Sequence, residues 1–136
     1  MHWLLCVLVL DLAAIRLEPN LEKRSDLALD HAKVALDAAR DAEAAGEEDK
    51  LKAALKDALD SVELSWTSLQ ETGKYARNNN GFKKAEVRTR EMLRRLDGLR
   101  DLAAFEDKTE VEKVRTRVAE VHDDLIRKIM GKKEKK

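Results

Sequence analysis

Four stretches of helical hydrophobic periodicity, separated by short breaks, constrain the fold of this chain more than any other feature. Within each stretch the apolar residues recur at steps of three and four, which places them on one face of an α-helix. Charged residues make up 40% of the 136 residues and aromatic residues only 4%, so the residue types that favour strands are scarce. The sequence therefore predicts an all-α protein with one domain.

The first two predicted helices are expected to form a hairpin. Asn20 is a suitable N-cap for the first helix and Gly46 a suitable C-cap. The second helix follows the acidic link GEED and ends before Gly73. Its apolar stripe includes Leu55 and Trp66, and we expect Trp66 to lie in the core rather than to form a ligand platform. A link this short makes the two helices antiparallel neighbours.

The last two predicted helices complete a second pair. The third runs from about residue 81 to 104, by its apolar periodicity. The fourth is expected to begin at a capping box, in which Thr109 and Glu112 have the required spacing. Its valines and leucines, among them Val118 and Leu125, form a narrow seam like that of a coiled coil. We expect these two residues to share one core with the second helix.

These amphipathic helices are expected to pack against one another, because long isolated helices are only marginally stable in water. The simplest arrangement is an antiparallel four-helix bundle with up-down-up-down order. The alternative is a pair of stacked tetratricopeptide-like helical hairpins, although no repeat of about 34 residues is visible. The bundle domain is expected to span residues 18–131, followed by a charged tail at 132–136.

Residues 1–17 form a separate N-terminal segment, which we interpret as a signal peptide or, failing that, an N-terminal apolar segment. Its apolar run, residues 3–10, has the length of a secretory h-region, and cleavage is expected after Ala14. An uncleaved membrane anchor and a buried N-terminal helix are the alternatives. Cys6, the only cysteine, lies in this segment, so the processed chain would contain no disulfide. We expect export to the periplasm or cell envelope, with a cytoplasmic location as the alternative.

The sequence contains no pattern that predicts catalysis, metal binding or a cofactor. His31 and His122 lack the Glu-x-x-His spacing of di-iron bundles, so we interpret both as structural. Ser61, Ser65 and Ser68 lie on a regular predicted helix rather than on the strained turn of a nucleophile. Zinc-binding spacings and phosphate-binding glycine loops are also absent from the sequence. We therefore expect a non-enzymatic protein without a cofactor.

Charge is unevenly distributed along the chain, although the formal net charge is zero. Residues 20–72 carry 13 acidic and 7 basic side chains, a net of −6, whereas residues 73–100 carry 3 acidic and 9 basic ones, a net of +6. One explanation is that the third helix lies beside the acidic first hairpin and that opposite charges set the register. The other is that the cations form a face for phosphates or an acidic partner.

The segment GKYARNNNGFKK, residues 73–84, is the sharpest break in the helical pattern. Its glycines and asparagines favour a turn, with an N-cap for the third helix and Phe82 anchored on the core. A turn does not require four cations and a tyrosine. The candidate interaction residues are therefore the charged and aromatic side chains of this loop and the third helix: Lys74, Tyr75, Arg77, Lys83, Lys84, Arg88, Arg94 and Arg95.

Two stretches, EPNLEKRSDLALDHA and FKKAEVRTREMLRRLDGL, resemble small exported helical proteins of bacteria that are recorded without an assigned function. The resemblance covers most of the chain after residue 17 and implies export, but no activity, catalytic residue or cofactor. We expect a non-enzymatic helical interaction or structural module of the bacterial cell envelope. The alternative is a binder of polyanions or acidic surfaces through a basic face on the third helix.

The expected partner is a protein, which the sequence does not identify. An anionic polymer or a lipid headgroup is the other candidate, and no specific nucleic acid is expected. Because phosphate-driven binding weakens steeply with salt and apolar docking does not, ionic strength should distinguish these partners. The sequence leaves the oligomeric state open.

Overall fold

The computed structural model describes residues 11–73 and 79–131, and within these ranges every regular element is a helix. A short helix, α1 (Leu12–Arg16), precedes four long ones, and a 3-10 turn (Phe105–Asp107) comes directly before the last. The long helices are α2 (Leu21–Ala45), α3 (Glu48–Glu71), α4 (Asn80–Leu102) and α5 (Lys108–Met130). They correspond to the four predicted helices, so the prediction of an all-α helical bundle is confirmed.

Local capping chemistry sets several helix ends. The Asn20 side chain accepts a hydrogen bond from the Lys23 amide at 2.9 Å, as an N-cap should. Gly46 ends α2 with a φ of 72°, a left-handed conformation that glycine adopts without steric cost. At the start of α4, the Asn79 side chain accepts from the Phe82 amide at 3.2 Å. These three ends follow the predicted caps closely.

The predicted capping box at the start of α5 is wrong. The helix begins at Lys108, so Thr109 already lies inside it, and Asp107 occupies the N-cap position. The Asp107 side chain makes no capping hydrogen bond. It is buried instead, because the 3-10 turn that precedes α5 brings it against α2.

The four long helices form two stacked hairpins. α2 packs along α3, and α4 packs along α5. The hairpins meet with α4 beside α2 and α5 beside α3, whereas α3 and α4 touch only slightly. Consecutive helices reverse direction, so the neighbouring helices of different hairpins run parallel. The structure therefore combines the up-down-up-down order of a bundle with the side-by-side hairpins of the alternative prediction.

One continuous core joins all four long helices. Leu55 and Trp66 of α3 belong to the same buried cluster as Val118 and Leu125 of α5, as predicted. Phe82, at the start of α4, is buried in this cluster too and anchors the beginning of the second hairpin. Burying a leucine or phenylalanine side chain typically contributes about 1.5–3 kcal/mol, so the core fixes how the hairpins stack.

The short helix α1 packs on the first hairpin as a small separate cluster. Ile15 is buried against Ala28 and Leu64, and Arg24 donates a hydrogen bond to the Arg16 carbonyl at 3.4 Å. The predicted cleavage point after Ala14 therefore lies within a helix that contacts the bundle. Residues 1–10, with Cys6 and most of the predicted signal peptide, are outside the described residues. Among the helices that are described, none is long and apolar enough to cross a membrane.

Candidate interaction surfaces

Three cations of the predicted basic face form ion pairs with side chains of the same chain. Each pairs with an aspartate of α2 that lies 58 residues earlier in the chain. The pairs are Lys84 with Asp26 at 2.8 Å, Arg88 with Asp30 at 2.6 Å and Arg95 with Asp37 at 2.6 Å. For these three residues the structure supports the explanation that opposite charges align the two hairpins.

The other predicted interaction residues fall into two groups. Lys83 and Arg94 are exposed, and neither makes an ion pair within the described ranges. Lys74, Tyr75 and Arg77 lie outside the described residues, as does the tail at 132–136. The structure thus separates two accessible cations of α4 from three that already have partners.

Polar side chains also join α5 to its neighbours. Arg117 donates to both carboxylate oxygens of Glu63 on α3, from Nε at 2.5 Å and from Nη2 at 3.0 Å. This two-pronged contact raises the pKa of Arg117 and has the planar geometry that arginine and carboxylate favour. It holds the parallel pair α3 and α5 together, as the aspartate pairs hold α2 and α4.

The two helical histidines bind separate carboxylates in separate hairpins. His31 Nε2 lies 2.8 Å from Asp57 Oδ2, which joins α2 to α3. His122 Nε2 lies 2.9 Å from Glu86 Oε2, which joins α5 to α4. Arg90, and secondarily His122, lower the pKa of Glu86 by hydrogen bonding. Each histidine therefore has a structural role as a link between the helices of one hairpin.

The serines of α3 are also used in packing. Ser65 lies 2.7 Å from Ser25 of α2, in a buried contact between the hydroxyls, and the Ser61 hydroxyl donates to the Asp57 carbonyl at 2.7 Å. Such contacts satisfy buried polar groups and do not activate a nucleophile. In the part of the chain that the structure covers, no group of three or more His, Cys, Asp or Glu residues could hold a metal ion.

An apolar surface is exposed where α4 ends. Leu102 and Phe105, three residues apart, are 70% and 86% exposed; we call this pair the junction surface. The two residues between them are attached to the bundle, because Ala103 is buried and the Ala104 amide donates to Glu43 at 3.1 Å. The backbone is thus fixed while both large side chains face outward. Sequence analysis missed this surface, although a phenylalanine just beyond a helix end was a visible signal.

Two acidic side chains contact each other next to the junction surface; we call Glu43 of α2 and Asp107 of the 3-10 turn the carboxyl pair. Asp107 is only 7% exposed. Burial, followed by the hydrogen bond and charge of Glu43 and the charge of Glu106, raises the pKa of Asp107, whereas Lys52 acts in the opposite direction. The two acids are far apart in the sequence, so no local pattern could have predicted their contact.

Comparison with known proteins adds no relative. No protein-family model matches the chain, and neither a curated protein nor a solved structure shows significant similarity to it. The resemblance to small exported bacterial proteins therefore stays a prediction. Any functional conclusion has to be drawn from the surfaces described above.

Proposed function

We propose that this protein is a non-enzymatic helical interaction module that binds a protein partner through the junction surface. The supporting observation is the outward position of Leu102 and Phe105 on a backbone that is attached at Ala103 and Ala104. Aromatic side chains are enriched in protein interfaces. Removing apolar area from water contributes roughly 25 cal/mol per Å², and a partner that covers these side chains would gain that contribution.

The fixed backbone favours binding for a second reason. A partner that docks on a preorganised surface loses less free energy to the ordering of loops than one that docks on a mobile segment. The histidines and several carboxylates that could serve catalysis are already hydrogen-bonded between helices. This arrangement supports a binding role over an enzymatic one.

Paired variants test this function. We expect Leu102→Ala combined with Phe105→Ala to abolish crosslinking to a specific partner in cell-envelope extract, with helix content unchanged. Met130→Ala is the matched control, because Met130 is 71% exposed but lies at the end of α5. Equal crosslinking by the double variant and the parent would contradict the proposal, as would equal loss in the control.

We propose a location in the cell envelope on the pattern of residues 3–10 and on the resemblance described above. Mass spectrometry of the natural protein should find a new N-terminus between Ala13 and Leu17. Cleavage after Ala14 would retain Ile15, the residue that α1 buries against the first hairpin. Recovery of the chain with intact Met1 from a soluble cytoplasmic fraction would contradict export.

Binding of an anionic polymer or lipid headgroup is the second candidate function. It is favoured by the exposure of Lys83 and Arg94, which have no ion-pair partner among the described residues. One variant places glutamine at the two loop cations, Lys74 and Arg77, and at the two exposed cations of α4 just named, Lys83 and Arg94. We expect it to lose salt-sensitive retention on anionic liposomes. The control removes the three cations that pair with α2: Lys84, Arg88 and Arg95. If both variants bind like the parent, the cations have no role in binding.

A further inference from the structure

We propose that the carboxyl pair holds a single shared proton and acts as an acid-dependent latch that fixes the junction surface to the first hairpin. Glu43 belongs to α2 and Asp107 to the turn before α5, so the pair joins the two hairpins. The latch itself is a property of the free chain. Its role in regulating a partner rests on the proposed function.

The unpaired oxygens of the two carboxyls carry the inference. Glu43 Oε1 and Asp107 Oδ1 are both buried, and neither has a hydrogen-bond partner when both groups are treated as acceptors. Two ionised carboxylates cannot bond to each other, because each can only accept. One proton turns one of them into a donor and allows a hydrogen bond between them. Without that proton, two like charges face each other, and one oxygen of each carboxylate is buried from water.

The same glutamate also holds the backbone of the junction surface. Its other oxygen, Oε2, accepts from the Ala104 amide at 3.1 Å, immediately before Phe105. When the shared proton is present, the turn is therefore attached to α2 at the Asp107 side chain and at the Ala104 backbone. When the proton is lost, repulsion between the carboxylates acts on both attachments together.

Burial and then Glu43 raise the pKa of Asp107 and so set the direction of the pH dependence, which the surrounding charges modify. Glu106, next to Asp107, favours retention of the proton, and Lys52 of α3 opposes it. Lys52 is also shared with Glu48, at 3.4 Å, which draws it toward a second carboxylate. Because the pKa of Asp107 is raised in the folded chain, the latch is complete in acid. Its contribution to stability is lost as the pH rises through the folded-state value.

Carboxyl and amide NMR of the full-length chain without any partner tests the latch. We expect the Asp107 carboxyl to titrate above the ordinary aspartate range. The chemical shift of the Ala104 amide should change in a step with the same midpoint. Asp107→Asn should remove this step, because the asparagine amide donates to Glu43 at every pH. Glu106→Gln, a change at the exposed neighbour, should keep the step. If Asp107→Asn does not fold, Glu43→Gln provides the same measurement.

Titration of Asp107 within or below the ordinary range would overturn the latch, as would an Ala104 step that survives in Asp107→Asn or keeps its midpoint in Glu43→Gln. Partner crosslinking is then compared on the two sides of the measured midpoint. We expect stronger crosslinking on the acid side for the parent and equal crosslinking for Asp107→Asn. If the NMR step is found but no partner can be crosslinked, the latch is supported and the proposed function is contradicted. A missing NMR step contradicts the latch, whether or not a partner binds.

Discussion

Arg95 of α4 donates to Asp37 of α2 at 2.6 Å, across a sequence separation of 58 residues. Two other hydrogen-bonded ion pairs between these helices, nearer the start of each, have the same separation. A constant separation means that α2 and α4 advance in the same direction residue for residue. The ion pairs therefore mark the register between the hairpins, although exposed pairs individually contribute little to stability.

A double-mutant cycle should measure this contribution. With Asp37→Asn and Arg95→Gln, we expect a coupling free energy of about 0.2–1 kcal/mol, which is usual for exposed ion pairs. The coupling should weaken as salt screens the charges. Arg94→Gln is the control, because Arg94 adjoins Arg95 but has no ion-pair partner in the described ranges. A coupling of the same size between Arg94 and Asp37 would show that the effect does not come from the pair.

Two adjacent residues of α5 should differ sharply in their effect on stability. Leu125 is 1% exposed and belongs to the core, whereas Ile126 is 38% exposed. Leu125→Ala should lower the free energy of unfolding by about 2–5 kcal/mol. Ile126→Ala should lower it by less than about 0.5 kcal/mol, because it lies at the surface. Chemical denaturation measures both, and equal losses would mean that the seam of α5 is misplaced.

Glycine substitutions should have opposite effects at two positions. Gly98 lies within α4, and a methyl group added there would meet nothing within 4 Å. Gly98→Ala should therefore stabilise the protein by about 0.5–1 kcal/mol, since alanine favours helix. Gly46→Ala should destabilise it by about 1–2 kcal/mol, because the left-handed backbone at Gly46 disfavours a side chain. Melting temperatures that shift in the same direction for both variants would contradict these backbone roles of the two glycines.

Glu86 should contribute to the acid side of the stability profile. Its pKa is lowered in the folded chain, mainly by the Arg90 hydrogen bond and then by His122. The contribution is complete above the ordinary glutamate pKa and is lost as the pH falls through the lower folded-state value. Glu86→Gln should flatten the loss of stability in acid. Glu91→Gln, a change at an exposed residue of the same helix, should leave that loss as in the parent. Denaturant midpoints of the parent and both variants, measured across the acid range, test this, and equal profiles for all three would contradict it.

Helix positions could be predicted from sequence because their determinants are local. Asn20, Gly46 and Asn79 act on amides or carbonyls only a few residues away. The capping box at Thr109 failed because the preceding turn is set by a contact with α2, which lies outside any local window. Val34 of α2 is apolar but half exposed, so residue type alone does not show which side chains of this helix face a neighbour.

Candidate surfaces were harder to predict, because they depend on which helices become neighbours. The sequence showed that Lys84, Arg88 and Arg95 are basic, and it offered both internal pairing and external binding. Only the stacking of α4 beside α2 shows that these three are already paired. The carboxyl pair combines residues 43 and 107, whose contact follows from the same stacking. Long-range packing was therefore the missing information in both cases.

The stacking of the hairpins has a consequence for the order of folding. Within the second hairpin, side-chain links begin 12 residues apart, between Arg100 and Glu112, and reach 36 residues between Glu86 and His122. Such a hairpin can close progressively from its turn. The three hydrogen-bonded ion pairs between α2 and α4 each span 58 residues, so docking of the hairpins has no short loop from which to start. We expect docking to form these contacts in one late step. A longer connection between α3 and α4 should cost little, since doubling the length of a closed loop adds only about 0.6 kcal/mol.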